Sequence, residues 1–241
     1  GTNYNDATGS VAIVIAKADA TIVVSGYSGV YEGVAHGATI GGVTGAAGDL
    51  AASGTLLTLG GETFSDAPGG TATWTFSGGT NYNDATGSVA IVIAKADATI
   101  VVSGYSGVYE GVAHGATIGG VTGAAGDLAA SGTLLTLGGE TFSDAPGGTA
   151  TWTFSGGTNY NDATGSVAID ITQASVTITG DGLNGSGYFG TFDGQAHAAS
   201  ATVTGVGGAL GPITSLTTHT DAGVYSDTVT FAGDLNHKAA S

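Results

Sequence analysis

The side chains of this sequence that could do chemistry are five histidines and nineteen acidic residues. His36, His114 and His197 recur at matching places, and a recurring histidine is a possible metal ligand. No second histidine or cysteine stands at ligand spacing from them. We therefore expect each of the three to hydrogen bond to neighbouring backbone in a turn.

A second group of candidates carries oxygen ligands. Asn3, Asn5 and Asp6, with Asp19 further along the chain, could hold calcium, which prefers carboxylate and carbonyl oxygens. Neither the EF-hand spacing nor the Gly-Gly-x-Gly-x-Asp repeat is present. The pattern predicts an Asn/Asp turn that caps its own backbone, with calcium binding as the alternative. We expect no other cofactor.

Two further chemistries have candidate residues. Lys17 could form an isopeptide crosslink with an Asn or Asp, although Gln173 occupies the matching place in the last repeat. Tyr27, Tyr31 and Trp74 could form a sugar-binding platform, but Trp74 lies on the apolar face of its strand and favours core packing. No Ser/His/Asp set, phosphate loop or cofactor fingerprint occurs. We expect a protein without enzymatic activity.

The elements that must position these residues are repeated. Residues 1–78 and 79–156 are identical, and a third copy begins at residue 157 and diverges after Ile169. A period of 78 residues is longer than the roughly 20–50 residues of solenoid repeats. Each repeat is therefore predicted to be a small domain with its own core.

Alternating apolar residues predict β-strands throughout, and no segment has the periodicity of a helix. In residues 71–77 the apolar side chains share one face of a strand and the Thr and Ser side chains share the other. The pair Gly60-Gly61 predicts a hairpin between its flanking strands. The side chains expected to anchor the three cores are Trp74, Phe76, Trp152, Phe154, Val229 and Phe231.

Short strands with Gly-rich turns predict an all-β fold of three tandem immunoglobulin-like antiparallel β-sandwiches, with closed barrels as the alternative. The expected boundaries are a terminal strand at 1–15 and repeats at 16–93, 94–171 and 172–241. The third repeat is divergent and is expected to lack its last strand.

The formal charge is −16, with only three basic residues. Nucleic acid and anionic membranes are poor partners for such a chain, because both attract basic segments. We find no signal peptide, membrane-spanning run or lipidation motif, and expect no membrane insertion. The scarcity of tryptic sites suits an extracellular or cell-surface location. Without Cys and Met, the chain has no side chain open to thiol or thioether oxidation.

Four motifs in fixed order resemble the bacterial immunoglobulin-like repeats called MBG-type domains. The motifs are Tyr31–His36 with Phe192–His197, Asp221–Tyr225 with Asp66–Gly70, Phe231–His237 with Phe76–Tyr82, and Ile15–Ile22. The resemblance implies tandem repeats of large surface or secreted adhesin-like proteins, and a structural role instead of catalysis.

The frame of the repeats suggests how copies could assemble. Residues 1–15 carry a last strand without a domain before it, while the third repeat lacks that strand. The lead hypothesis is an extracellular filament assembled head to tail, in which Val11, Ala12, Ile13, Val14 and Ile15 of one chain complete the third repeat of another. The partner is then the chain itself. The alternatives are a stalk fragment of a long cell-surface adhesin and a carbohydrate-binding module.

Overall fold

The computed structural model describes residues 2–46, 56–124, 126, 135–181, 190–214 and 217–241. The regular elements among them are all β-strands, so the all-β fold class predicted from the sequence is confirmed. The strands are β1 Thr21–Ser25, β2 Tyr27–Val30, β3 His36–Gly37, β4 Thr39–Thr44, β5 Leu57–Leu59, β6 Thr63–Phe64, β7 Gly69–Phe76, β8 Ala85–Ala94, β9 Thr99–Ser103, β10 Tyr105–Val108, β11 His114–Gly115, β12 Thr117–Thr122, β13 Leu135–Leu137, β14 Thr141–Phe142, β15 Gly147–Phe154, β16 Ala163–Thr172, β17 Thr177–Asp181, β18 Ser200–Gly205 and β19 Gly208–Thr214.

The chain forms two compact units. Unit 1 comprises Gly1–Asp97, Gly123–Asp127 and Gly157–Asn161, and unit 2 comprises Ala98–Thr122, Leu128–Gly156 and Asp162–Ser241. Unit 2 thus holds most of the second repeat together with the third.

In unit 1 the largest sheet has the strand order β2-β8-β7-β5. Strands β7 and β8 pair antiparallel over eight residues, from Gly69 opposite Val92 to Phe76 opposite Ala85. On the other side of β8, strand β2 runs parallel to it, with Tyr27 opposite Ile91. This parallel pair, repeated as β10 and β16, departs from the purely antiparallel sandwich expected from the sequence.

The second layer of unit 1 is the antiparallel pair β1-β4, which is bulged between Val23 and Val24. Its Val43 packs with Leu57 of β5, Phe76 of β7 and Tyr82 in one buried cluster. Burying each of these side chains contributes about 1.5–3 kcal/mol. Two sheets therefore face each other across a common apolar core, as sandwich packing requires.

The prediction of a hairpin at Gly60-Gly61 is wrong. Strand β5 pairs with β7, and β6 pairs with β3, so the two flanking strands join different sheets. Leu57 stands opposite Phe76 and is fully buried. The apolar contact that β5 makes with the longer strand β7 outweighs local hairpin closure.

Unit 2 repeats the same pairings with β9-β12, β10-β16-β15-β13 and β11-β14. The third repeat adds the sheet β17-β18-β19, in which Ala201 and Val203 of the central strand are buried. No described sheet has the circular strand order of the closed-barrel alternative. No helix within the described residues is long and apolar enough to span a membrane.

Candidate functional site: the unpaired strand and the repeat junctions

The ten residues Ala-Thr-Gly-Ser-Val-Ala-Ile-Val-Ile-Ala occur identically at 7–16 and 85–94 but have different structures. At 85–94 they form β8, where Ile91 and Ile93 are 1% and 3% exposed. At 7–16 they have no strand assignment, and Ile13 and Ile15 are 85% and 89% exposed. The proposed assembly strand, residues 11–15, is therefore an apolar strand sequence without a sheet in this chain.

The corresponding edge in the third repeat is residues 224–231, which align with β7 and β15. Phe231 pairs with Ala240, which matches the rung between Phe76 and Ala85 in the first repeat. The preceding residues, 224–230, have no strand assignment, and Val224 is fully exposed. This segment, together with Phe231, is called the open edge below.

The residues expected to anchor the cores lie on these strands. Phe76, Phe154 and Val229 are buried. Trp74, Trp152 and Phe231 are half-buried. Trp74 stands opposite Gly87 in the pairing of β7 with β8, so it lies beside the strand whose sequence recurs at residues 7–16.

A contact absent from the sequence predictions lies at the turn before the last strand. This junction turn, residues 79–83, 157–161 and 234–238, carries an asparagine at its third position. Within unit 1, Asn159 Oδ1 accepts a hydrogen bond from the Ala67 N–H at 3.0 Å, and its Nδ2 donates to Asp66 Oδ1 at 2.8 Å. Asp66 and Ala67 begin what we call the acceptor turn, residues 66–68, 144–146 and 221–223.

Unit 2 contains the same contact between the second and third repeats. Asn236 Oδ1 accepts from the Ala145 N–H at 2.9 Å, and Asn236 Nδ2 donates to Asp144 Oδ1 at 2.8 Å. Because the asparagine satisfies a backbone donor and a carboxylate together, it fixes the two turns in one register. We call this pair of hydrogen bonds the asparagine clamp.

An aromatic contact accompanies each asparagine clamp. Tyr31 packs edge-to-face against Tyr160 with ring centroids 5.3 Å apart, and Tyr109 packs similarly against His237 at 5.4 Å. Such edge-to-face pairs add about 0.5–1.5 kcal/mol beyond their area burial. The signal in the sequence was the regular return of Asn in the junction turn and Asp-Ala in the acceptor turn.

The junction turn is also tied to the strand that leads into its own repeat. The Asn83 amide donates to Asp19 at 2.7 Å, and Asn161 donates to Asp97 at the same distance. Asp19 therefore accepts a hydrogen bond from Asn83, whereas the other calcium candidates, Asn3, Asn5 and Asp6, are exposed. No cluster of three or more His, Cys, Asp or Glu suited to a metal ion is found in the described part of the chain.

Lys17, the isopeptide candidate, engages a main-chain carbonyl. Its Nζ donates to Gly79 O at 2.7 Å, and Lys95 repeats the bond to Gly157 O at 2.6 Å. Gln173 makes the equivalent bond to Asp234 O at 2.7 Å with an amide donor. The shared property of these three side chains is hydrogen-bond donation to the junction turn.

Each recurring histidine side chain contacts a carboxylate four positions earlier, whereas the sequence led us to expect neighbouring backbone as its partner. His36 Nε2 lies 2.8 Å from Glu32 Oε1, and its ring stacks on Tyr27 at 3.5 Å. His197 lies 3.1 Å from Asp193. The signal was an acidic residue four positions before each histidine.

The contacts around the recurring histidines shift the pKa values of their neighbours Tyr27 and Asp193. Burial and the neighbouring Glu32 charge raise the pKa of the Tyr27 hydroxyl. The Gln195 N–H and then His197 hold the pKa of the Asp193 carboxyl below its ordinary value. With Tyr27 stacked on His36 and Tyr31 buried, two members of the proposed sugar platform are engaged within the protein.

The third repeat places a histidine where the others have a tyrosine. His237 is buried, and its Nδ1 lies 2.9 Å from Asp234 Oδ1, while its Nε2 has no hydrogen-bond partner among the described residues. Burial raises the pKa of the Asp234 carboxyl, but the Asn236 N–H and His237 outweigh it and lower the pKa overall.

No family model matches the chain, and no curated protein matches it either. A function for the chain therefore has to be argued from the contacts described above.

Proposed function

We propose that this chain is an extracellular structural repeat protein whose copies join head to tail by donor-strand complementation. Residues 9–15 of one copy would pair with the open edge of the third repeat in the next. The observation that carries the proposal is the contrast between residues 85–94, which form a buried strand, and the identical residues 7–16, which are exposed.

The register follows from the first repeat. Phe231 already pairs with Ala240, as Phe76 pairs with Ala85. Continuing that ladder places Gly9 opposite Val229 and Ile13 opposite Tyr225. The donated strand would thus take the position that β8 has beside β7.

Charge and composition favour this function over others. The formal charge of −16 opposes nucleic-acid and anionic-membrane partners. A chain with three basic residues, no Cys and no Met offers few sites to trypsin-like proteases and none to thiol or thioether oxidation. These properties suit an extracellular fibre, and we propose no catalytic activity and no bound cofactor.

Sedimentation of the 241-residue chain as a function of protein concentration tests the proposal. We expect concentration-dependent polymers that appear as filaments in electron micrographs. Ile13→Asn should abolish them, because it places an amide in the apolar core of the receiving repeat. Ala12→Asn is the matched control, since Ala90 at the same place in β8 is exposed.

Two outcomes contradict strand donation: a wild-type chain that stays monomeric, or Ile13→Asn filaments that form as readily as wild type. Ionic strength near 0.15 M is appropriate, since salt screens repulsion between acidic copies.

The second candidate function is a segment of an adhesin stalk, with every last strand supplied within one longer chain. The asparagine clamp between the second and third repeats favours it, because Asn236 and Asp144 belong to one compact unit. A stable monomer of the 241-residue chain, with residues 7–16 accessible to protease, would favour this alternative.

A further inference from the structure

The asparagine clamp occurs at two places within this chain. Its acceptor turn occurs once more, at residues 221–223, and its asparagine occurs twice more, as Asn3 and Asn81. Asn81 stands at the third position of the first junction turn, as Asn159 and Asn236 do in theirs. Asp221 and Ala222 begin the third acceptor turn, as Asp66 and Ala67 begin the first. Among the described residues, neither Asn81 nor the third acceptor turn takes part in a clamp, and two copies of the chain could bring them together.

The residues that form an asparagine clamp are more buried than the residues at the same positions that do not. Asn159 and Asn236 are half-buried, whereas Asn81 is exposed in an identical pentapeptide to that of Asn159. Ala67 is 8% exposed and Ala145 is 6% exposed, whereas Ala222 falls in the exposed class. The buried residues are covered by the turn that faces them in the clamp, and Asn81 and Ala222 are not covered in this way.

The aromatic position beside the clamp shows the same contrast. Phe192 aligns with Tyr31 and Tyr109. Each of these tyrosines packs against the junction turn of the following repeat. Tyr31 is 8% exposed, but Phe192 is 65% exposed. By alignment with the first two repeats, the exposed Phe192 and the exposed Asp221-Ala222 turn offer the apolar and hydrogen-bonding groups of the two occupied junctions.

We propose that the first junction turn of one copy docks on the third acceptor turn of a second copy. Asn81 Oδ1 accepts from the Ala222 N–H, Asn81 Nδ2 donates to the Asp221 carboxylate, and Phe192 packs beside Tyr82. This inference deepens the proposed head-to-tail assembly and rests on it, since strand donation brings the first repeat of one copy to the third repeat of another.

The third acceptor turn differs from the other two in one residue, and the difference does not occupy the aspartate carboxylate. Gly223 replaces the proline of the other acceptor turns. The Asp221 carbonyl accepts from the Tyr225 hydroxyl at 3.2 Å, whereas the Asp66 carbonyl accepts from the Gly69 N–H at 2.8 Å. Both arrangements use the carbonyl of the aspartate and leave its carboxylate for the asparagine.

Two copies lose translational and rotational freedom when they associate, and the donated strand must offset that loss through burial of Ile13 and Ile15 and through ladder hydrogen bonds. The clamp would add a second contact that also fixes the orientation of the two copies.

The first test measures self-association of the full chain. Asn81→Ala should weaken the association constant about 30- to 2,000-fold, as expected for losing two hydrogen bonds, one of them to a charged group. Asn3→Ala is the matched control, because Asn3 has the same place in an identical pentapeptide, residues 1–5, that is not the docked turn. This variant should associate as the wild type does. Asn81→Ala with wild-type affinity would refute the clamp while leaving strand donation intact, which Ile13→Asn tests separately.

A second test does not depend on association between free chains. Two copies are fused so that Gly9 of the second follows Ser241 of the first, which places the donated strand beside the open edge covalently. The Ala222 amide of the first copy should then exchange its hydrogen more slowly than in the single chain. Asn81→Ala in the second copy should restore fast exchange, whereas the same change in the first copy should not.

The fusion separates the two proposals. If Ala222 is protected in the fusion but the single chain stays monomeric, the clamp is supported and strand donation between chains is wrong. If Ala222 exchanges equally fast in the fusion and the single chain, the clamp is wrong regardless of whether filaments form.

Discussion

Identical isoleucines in identical decapeptides allow a matched test of what tertiary context contributes. Ile91 in β8 is 1% exposed, while Ile13, at the same place in residues 7–16, is 85% exposed. We consider Ile91→Ala and Ile13→Ala in the monomeric chain. Intrinsic strand propensity changes equally in both, so any difference between them comes from packing.

The expected magnitude follows from the burial. Truncating a fully buried isoleucine to alanine costs about 2–5 kcal/mol, the sum of lost transfer energy and the cavity left behind. Ile91 adjoins β2 on one side and β7 on the other, opposite Tyr27 and Gly70, so collapse of the cavity is restricted. Ile13→Ala should change the free energy of unfolding by less than about 0.5 kcal/mol, as is usual for exposed positions.

Denaturant unfolding followed by tryptophan fluorescence measures this difference. The chain has two tryptophans, so Trp152→Phe leaves Trp74, on the strand beside β8, as the reporter of the first repeat. The protein concentration is kept where sedimentation shows monomer. The midpoint should fall for Ile91→Ala without a change in slope.

Equal destabilisation by the two substitutions would refute the reasoning, because it would mean that residues 7–16 are already packed in the monomer. A loss below about 1 kcal/mol at Ile91 would contradict its placement in the core.

Two further predictions concern packing and pH. Gly87→Ala should destabilise the first repeat by about 1–3 kcal/mol in thermal unfolding, since the added Cβ would lie 2.4 Å from the Trp74 ring, whereas Gly9→Ala, with nothing within 4 Å, should be neutral. The Thr73 hydroxyl donates to Glu62 and lowers the pKa of its carboxyl, so this stabilisation is present above the unfolded-state pKa and is lost as pH falls through the lower folded-state pKa. Thr73→Val should therefore destabilise near pH 6 and less near pH 3, the range in which Glu titrates; a pH-independent loss would contradict the assignment.

Much of the fold was predictable because it depends on local pattern. The alternation in residues 71–77 places Phe76 in the core, where it packs with Leu57 and Val43. β-branched residues at every second position favour a pleated, half-buried strand wherever a sheet is available. The parallel pairing of β2 with β8 was not predictable, since parallel and antiparallel neighbours use the same alternation.

The candidate site was predictable only in part. The position of residues 11–15 ahead of the first repeat predicted that they could act as a separate strand. The asparagine clamp was not predicted, because it joins Asp144 and Asn236, which are 92 positions apart in the chain. A polar residue in a turn hydrogen bonds as well to its own backbone as to a distant turn, so its type does not reveal its partner. The histidines illustrate the same ambiguity, because His36 pairs with Glu32 and not with backbone.

The sequence by itself determined that residues 7–16 and 85–94 have the same strand-forming pattern, because that pattern is a property of the ten side chains. Only the tertiary structure decided that 85–94 is a buried strand and 7–16 is exposed. The physical reason is that a strand is stabilised by neighbours on both edges and by an apolar layer beneath it. Strands β2 and β7 supply the edges for residues 85–94, and within the described chain residues 7–16 have neither.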